Sequence, residues 1–506
     1  MKTMPKNEIQ QENDLYAAID LGSNSFHMII ARETHGQMQV IDKHKEMVRL
    51  RAGLDKNGKL TDKAFKKGIE CLERFGQLIK NIPRKNVRAV GTNTLRNAKN
   101  SRAFLAYARK ALGHSIQIIA GQEEARLIYL GVAHGLPNSD EQRLVMDIGG
   151  GSTEYIIGSQ FTHDHLTSTE MGCVSMTQAF FPKDEINPEN MDRAVSACRL
   201  TLRPHQAKLK KLGWDTAIGA SGSIKSIGQI LEANKWTDGG ITLKGLNKLR
   251  DALIKSGSAE DIELEGLKDE RRPVLVGGLA VLIATFEELK IKQMQVSANA
   301  LREGLVFDTL GRLYAEDVRE VSVSAMQKWM RVDTQQADFV AHTALSLYKQ
   351  AHNTWKLRKS EYDLKKILIW AAKLHECGIA ISYKRYRHHG AYLISQAEMA
   401  GFDQLEKQIL SAMLLNHRGK FIPDVFDEID IDRKKLIHLT VLLRLAVRIH
   451  RGRDFEQIEP LLHIDEDNEL HLEFEDNWLA EHPLSCLDLE SEAKHLDNSG
   501  FKLSFK

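Results

Sequence analysis

Residues 20–30, DLGSNSFHMII, and residues 147–157, DIGGGSTEYII, are two copies of one pattern. Aligned without gaps, their eleven positions share the Asp, the Gly two residues on, a Ser and both closing Ile, and Leu21 matches Ile148. In each copy a buried strand ends in Asp, and a turn of small residues leads into a second apolar strand. An Asp-x-Gly turn between strands is common by itself. A match over the whole stretch, with the surrounding strand order repeating, predicts two halves of similar build.

The chain around the first copy reads as a meander: short apolar runs at 16–20, 26–32 and 37–45, the last after a His35-Gly36 turn. Residues 62–80 place Phe65, Ile69, Leu72, Phe75 and Ile79 at helical spacing behind a Thr61 or Asp62 cap, with Pro83 past the end. A run at 87–90, a helix at 101–112 closed by Gly113, a strand at 116–120 and a helix from Glu123 then alternate. Hairpins feeding βαβ units predict a mixed α/β fold. The second copy is followed by a helix near 191–212, a strand at 216–219, a very apolar helix at 277–290, a strand near 294–297 and a helix from about Ala300. Beyond residue 313 helical periodicity runs to about residue 453. The last stretch reads as strands at 461–464 and 470–474 around an Asp467-Asn468 turn, a helix near 487–495 and a strand at 501–505. The expected domains are 1–135, 136–312, a helical domain at 313–458 and a small α+β segment at 459–506.

With 506 residues the chain is long enough for several cores, so a single small binding module is excluded. Hydrophobic residues at 42% and charged residues at 27% are those of an ordinary globular protein. Lys plus Arg number 70 against 68 Asp plus Glu, a net charge of +2, so no polybasic nucleic-acid binder is implied and an anion must be held by local sites. The 5 cysteines are scattered and form no Cys-x-x-Cys pair, which points to a reducing compartment and away from disulfides or a zinc ribbon. The first 14 residues are polar, and the longest apolar run, 274–286, has 13 residues where a membrane span needs about 20. A cytoplasmic protein is expected.

Small residues let backbone amides approach an anion, and hydroxyls add donors. Gly22, Ser23, Asn24 and Ser25 in the first turn, and Gly149, Gly150, Gly151, Ser152 and Thr153 in the second, therefore make two phosphate cradles. The second turn is no dinucleotide fingerprint, since after Gly149-x-Gly151 Glu154 stands where the third Gly would be. Residues 219–226, GASGSIKS, fail as a Walker loop because Ile224 replaces its second Gly. Asp20 and Asp147 end equivalent strands, and Glu154 follows Asp147 across the turn, a pairing suited to Mg²⁺, which takes one or two protein carboxylates and completes its shell with water and phosphate. Arg96 in GTNTLR (91–96) offers a planar fork for phosphate oxygens. In GQEEAR (121–126) two acids open a helix, an arrangement that also complements the helix dipole.

Taken in order, AIDLGSNSFHM, GTNTLR, GQEEARLIYLGV, MDIGGGSTE, MGCVS, GASGSIK and ALREGL over about residues 15–312 resemble the exopolyphosphatase and guanosine pentaphosphate phosphohydrolase family, of the superfamily of sugar kinases, actin and chaperone ATPases. The resemblance implies two actin-like (ribonuclease H-like) subdomains enclosing a cleft in which a terminal phosphoanhydride is hydrolysed with Mg²⁺ and no covalent intermediate. By similarity Glu124 would be the general base for the attacking water. Asp147 and Glu154, with Asp20 as a third acid, would hold the metal. Arg96 and both turns would grip the terminal phosphate, with Ser221-Gly222 on the far wall. Family members often carry Gly before ALREGL, whereas this chain has Asn299. The wording DIGGGSTE, with MGCVS followed by Phe180-Phe181-Pro182, is closer to exopolyphosphatases. The expected activity is therefore removal of orthophosphate from inorganic polyphosphate, the alternative being conversion of pppGpp to ppGpp, or both. A kinase of the same fold would need an acceptor-side base, whereas Glu124 beside the phosphate turns suits water. A homodimer is implied by the family.

In the helical region His342, His375-Glu376, His388-His389 and His417 resemble an HD-type phosphohydrolase arrangement. Glu376 stands where that family has Asp, and Val447 follows LLRLA (442–446) where a later Asp is expected, so a degenerate structural or substrate-holding domain is implied. Lys384, Arg385, Arg387, His388 and His389, and again Arg448, His450, Arg451 and Arg453, are cationic clusters that a polyanion could follow, although such runs are usually solvated faces.

Overall fold

The computed structural model describes residues 15–34, 37–136, 140–314, 317–397, 399–453, 457–465, 468–475 and 477–506. The polar first 14 residues, the His35-Gly36 turn and Asp467 lie outside the described residues. The chain divides into two compact units between residues 315 and 316.

The first unit holds two five-stranded sheets of one topology. Strands β1 (Leu15–Leu21), β2 (Phe26–Thr34) and β3 (Gln37–Glu46) form the meander. Helix α1 (Asp62–Ile79), strand β4 (Val87–Gly91), helices α2 (Asn93–Asn97) and α3 (Ser101–Leu112), strand β5 (Ile116–Ile118) and helix α4 (Gly121–His134) follow. The second half repeats the plan with β6 (Arg143–Ile148), β7 (Thr153–Ser159), β8 (Thr162–Thr169), α5 (Cys173–Phe180), α6 (Pro188–Leu212), β9 (Thr216–Ala220), α7 (Ser221–Ala233), α8 (Leu243–Ser256), α9 (Leu275–Leu289), β10 (Met294–Val296) and α10 (Leu301–Tyr314). The sheet orders are β3-β2-β1-β4-β5 and β8-β7-β6-β9-β10. In both, the first three strands are antiparallel and the last two join in parallel, which requires helical crossovers. The register repeats as well: Asp20 faces His27, and Asp147 faces Glu154.

Helix α1 starts where Thr61 accepts from the Ala64 amide, and it buries Ala64, Cys71, Leu72, Phe75 and Ile79, while Phe65 and Ile69 are only half-buried. Strand β5 stops at Ile118, two residues short of expectation, because Ala120 is already the extended N-cap of α4, which begins at Gly121. Each half has its own outer core. A third core lies between the sheets, where Tyr16, Ala18 and Ile29 of the first meet Val145, Ile156 and Ile218 of the second through α4 and α10. Those helices cross at two glycines: a Cβ on Gly304 would stand 1.8 Å from the Leu127 carbonyl oxygen, and one on Gly131 2.1 Å from that of Ala300. Only bare backbone allows that approach, which sets Glu124 on α4 and Arg302 on α10 beside the strand ends.

The second unit comprises α11 (Val318–Trp329), α12 (Thr334–Ala351), α13 (Leu364–Leu374), α14 (Tyr386–Gln396), α15 (Gln404–Asn416) and α16 (Arg433–Ile449), then β11 (Leu461–Ile464), β12 (Glu469–Glu473), α17 (Trp478–Glu481), α18 (Pro483–Asp497) and β13 (Lys502–Phe505). The small sheet runs β11-β12-β13, with β12 and β13 parallel. Its Leu462, Leu470 and Leu472, with Leu489, Leu496 and Phe501, pack into the same core as the helices, so helices and sheet fold around one interior. Among the described residues no helix is long and apolar enough to cross a membrane.

Candidate active site

The strand ends and both glycine turns line a cleft of about 430 Å³ in the first unit. Its surface includes Asp20, Gly22, Ser23, Asn24, Ser25, Glu124, Asp147, Gly149, Gly150, Ser152, Ser221 and Gly222, so the cradles and acids picked from the sequence converge. The two turns abut: a Cβ on Gly150 would stand 2.8 Å from the Ser23 Cβ. Each turn is also tied from behind. Amides of Arg49 and Arg51 donate to the Asn24 and Ser23 carbonyls, and amides of Cys173 and Val174 in the MGCVS stretch donate to those of Gly149 and Gly150.

Three carboxylates, Asp20, Glu124 and Asp147, line the floor of the cleft, and a fourth, Glu154, is buried behind it. Burial raises Asp20 to about 7, with Asp147 adding to the rise and Arg302 opposing it. Burial raises Asp147 to about 6 against the pull of Lys225 and Arg302. Glu154 is pushed up by burial and then by Asp147, although Ser168 Oγ donates to its Oε1 at 2.8 Å. Glu124 is pushed well up by burial and by Glu154, with Arg96 opposing. Desolvation disfavours the charged form, and four acids in one place compound it. Asp20 Oδ1, Glu124 Oε2 and Glu154 Oε2 are buried and make no hydrogen bond. Buried acceptors of this kind call for a cation or donors supplied from outside the chain. The donor set is all oxygen, which suits Mg²⁺. Among the described residues, three ligand atoms lie mutually within 4.8 Å only at Asp465, Glu469 and His471 in the second unit. The cleft acids are therefore spaced for an ion that keeps water and phosphate oxygens in its shell, not for a closed protein cage.

Some expected contacts lie elsewhere. The Thr153 hydroxyl donates to the Met171 carbonyl at 2.5 Å and the residue is fully buried, so it offers the cleft nothing. Gly151 packs on Asn93, its Cβ position 2.3 Å from Oδ1. Arg96 stands behind the surface, its Nη1 donating to the Ile119 carbonyl at 2.5 Å and lying 3.6 Å from Glu124 Oε2, so it orients the acid rather than reaching into the cleft. Glu154 is likewise behind the surface, beside Asp147.

Sequence reasoning missed the cations of the cleft. Arg302 and Lys225 belong to the ALREGL and GASGSIK stretches, and both act on Asp147. Arg302 Nη1 donates to His27 Nδ1 at 2.9 Å, and His27 Nε2 lies 2.7 Å from Ser25 Oγ. The eleven-position alignment already pairs His27 with Glu154 and so carried the signal. Arg271 lies on the start of α7, where a Cβ on Gly222 would be 1.8 Å from its Nη2, so a side chain there would displace the guanidinium.

The second unit accounts for several of its own motifs. Arg387 Nη1 donates to the carbonyls of Leu415, Arg418 and Lys420, so this member of the supposed polyanion path ties a loop instead. Lys384, Arg385 and His388 are exposed and His389 is half-buried. Arg448 bonds Glu492, Arg451 pairs with Asp488, Arg453 with Asp333 and Glu376, and His450 is buried against Thr343. Those four are internal ties, the ordinary outcome for such runs. His375 and His417 are buried with ring centroids 5.5 Å apart, each with Nδ1 on a carbonyl of its own helix, and Glu376 is occupied by Arg453.

Two sheets of repeated topology, glycine turns at a shared cleft and acids at its floor are the features of a phosphoanhydride hydrolase of actin-like build. Residues 29–313 match the Ppx/GppA phosphatase family, and residues 318–493 match domain III of Ppx/GppA phosphatases. The chain belongs to the Ppx/GppA phosphatase family. It is 38% identical over 502 residues to a guanosine-5'-triphosphate,3'-diphosphate pyrophosphatase of Pseudoalteromonas atlantica, covering 99% of this chain and 98% of that one. A protein of the same name from Photobacterium profundum is 37% identical, with 97% of each chain covered. Among solved structures, an exopolyphosphatase from Cytophaga hutchinsonii superposes with TM-score 0.55 at 22% identity, over 60% of this chain and 99% of that one, and shares the fold. The Aquifex aeolicus member of the Ppx/GppA family gives 0.50 at 28% identity over 60% and 99%.

Proposed function

We propose that the protein is a Mg²⁺-dependent guanosine pentaphosphate phosphohydrolase, which removes the terminal 5'-phosphate of pppGpp to leave ppGpp. The observation that carries the hydrolytic part is Glu124 Oε2, which lines the cleft, is oriented by Arg96 and accepts no hydrogen bond. Whole-length similarity to proteins named guanosine-5'-triphosphate,3'-diphosphate pyrophosphatase supports the nucleotide over the polyphosphate reading. The wording that pointed to polyphosphate rests partly on Phe181, which is buried in the outer core of the second half and does not line the cleft.

In this reading the terminal phosphate sits between the two turns, with Ser23, Ser25 and Ser152 hydroxyls and turn amides as donors. Arg302 and Lys225 face its charge, and Arg96 orients Glu124. Asp147 and Glu154, with Asp20 near, would hold Mg²⁺, which supplies charge neutralisation on the phosphate oxygens. Glu124 accepts a proton from the attacking water at Oε2. Burial of the floor excludes bulk water, so positioning and electrostatics carry the reaction. The family also implies a homodimer, and the scattered cysteines of the sequence support a cytoplasmic location.

The test is orthophosphate release by the purified chain with Mg²⁺, from pppGpp and from polyphosphate separately, at equal concentrations of terminal phosphates. Higher kcat/KM on pppGpp, lost in Glu124→Gln, is expected. Faster release from polyphosphate would return the protein to the exopolyphosphatase branch.

A further inference from the structure

Three of the carboxylates lining the cleft form its floor: Glu124 and Asp147 are buried, and Asp20 is half-buried with its Oδ1 shielded from solvent. Among the described residues one more lines it, Glu270, and it stands at the rim with 37% of its side chain exposed. There it receives a hydrogen bond from Lys45 Nζ of β3, on the opposite half of the unit. We infer that Glu270, fixed by Lys45, is the element that discriminates a guanosine nucleotide from linear polyphosphate; this rests on the substrate reading proposed above.

A cleft built only for polyanions gains from cations at its rim and loses from an acid there, since every phosphate passing a carboxylate is repelled. The other charged side chains of this rim, Lys43, Lys45, Lys268 and Arg271, are cationic. Lys45 and the neighbouring cations hold Glu270 below its ordinary carboxyl range, so it is ionised at neutral pH. Stability does not account for the pair, because a partly exposed ion pair contributes little. The donor inventory of the two substrates does. An ionised carboxylate only accepts hydrogen bonds. Polyphosphate offers it nothing but further acceptor oxygens, each near a charge. Guanosine offers N–H donors on the base and a hydroxyl on the ribose. With the terminal phosphate at the floor, the remainder of either substrate leaves through the rim, where a nucleoside can donate to Glu270 and a phosphate chain cannot. Attraction for one substrate and repulsion of the other in a single group is an efficient route to specificity.

The experiment compares kcat/KM for pppGpp and for polyphosphate of one defined length in the full chain, in Glu270→Gln and in Glu270→Asp. The polyphosphate-to-pppGpp ratio is expected to rise about tenfold in Glu270→Gln, the scale of one repulsive contact. Glu270→Asp, which keeps the charge, should stay nearer wild type, and the gap between wild type and Glu270→Gln on polyphosphate should narrow as salt is raised. A ratio that rises less than threefold, or an equal shift in both variants, overturns the inference. The wild-type ratio reads the proposed function separately: a wild-type preference for polyphosphate sinks that reading, whereas an unmoved ratio in Glu270→Gln sinks only the role of Glu270.

Discussion

The β1–β2 and β6–β7 hairpins are the same object with one decisive difference. Each ends its first strand in an Asp, turns through small residues, and places one residue opposite that Asp. In the first that residue is His27, with contacts on both nitrogens, from Arg302 and Ser25. In the second it is Glu154, with one oxygen on Ser168 and the other free. Burial drives both toward their neutral forms, the imidazole down and the carboxylate up. A duplicated hairpin has thus kept the acid and the turn in both copies and divided the labour at one register position. At that position the first copy is closed by internal hydrogen bonds to Ser25 and Arg302, and the second leaves one carboxylate oxygen for an ion from outside.

The largest test of this division lies between the copies. Glu124→Gln keeps shape and removes the proton acceptor, and kcat for orthophosphate release should fall about 10²–10⁴-fold with KM little changed. A fall of less than tenfold would remove Glu124 from the chemistry. The next test breaks the open copy. Glu154→Gln should lower activity about 10–100-fold and raise the Mg²⁺ concentration giving half-maximal rate, an effect of the size seen when metal surroundings are altered. An unchanged Mg²⁺ titration would place the ion elsewhere. In the closed copy, His27→Gln leaves Arg302 without its ring partner. Loss of one charge-assisted hydrogen bond predicts about a tenfold rise in KM with the Mg²⁺ titration unmoved. A shift in Mg²⁺ dependence for His27→Gln equal to that of Glu154→Gln would erase the distinction between the hairpins.

Much of this contrast was written in the primary structure. The gapless match of 20–30 to 147–157 implied two like halves, and the repeated strand order and register bear that out. Asp20, Asp147 and Glu124 were legible because acids beside small-residue turns are conspicuous. Arg302, Lys225, Arg271 and Lys45 were not, because isolated cations look alike until the fold brings strand, helix and loop from distant parts of the chain to one cleft. Thr153 misled for a related reason. In a strand, neighbouring side chains face opposite ways, so next to Ser152 its hydroxyl turns to the Met171 carbonyl. The β11–β13 segment read as a separate appendage because alternation reports strands but not which core they bury. Leu470 and Phe501 enter the helical interior instead.

The smallest expected effect is on stability without metal, and it separates the hairpins by sign. Glu154 in the folded chain holds its proton above the ordinary value of 4.5, so above that pH the folded state binds a proton the unfolded chain has lost, and stability falls as pH rises. His27 stays neutral below its ordinary value of 6.5, so beneath that pH the unfolded chain binds a proton the folded state refuses, and stability falls as pH drops. With chelator present, Glu154→Gln should therefore melt several degrees above wild type at pH 8 and alongside it at pH 4.5, about 2–4 °C accompanying each kcal/mol. His27→Gln should gain on wild type only below pH 6.5. Added Mg²⁺ should stabilise wild type at pH 8 and do less for Glu154→Gln, because an ion that takes the free oxygen replaces the proton there. Thermal melts from pH 4.5 to 8 decide it. Parallel curves for wild type and Glu154→Gln across that range would mean that Glu154 is as internally satisfied as His27.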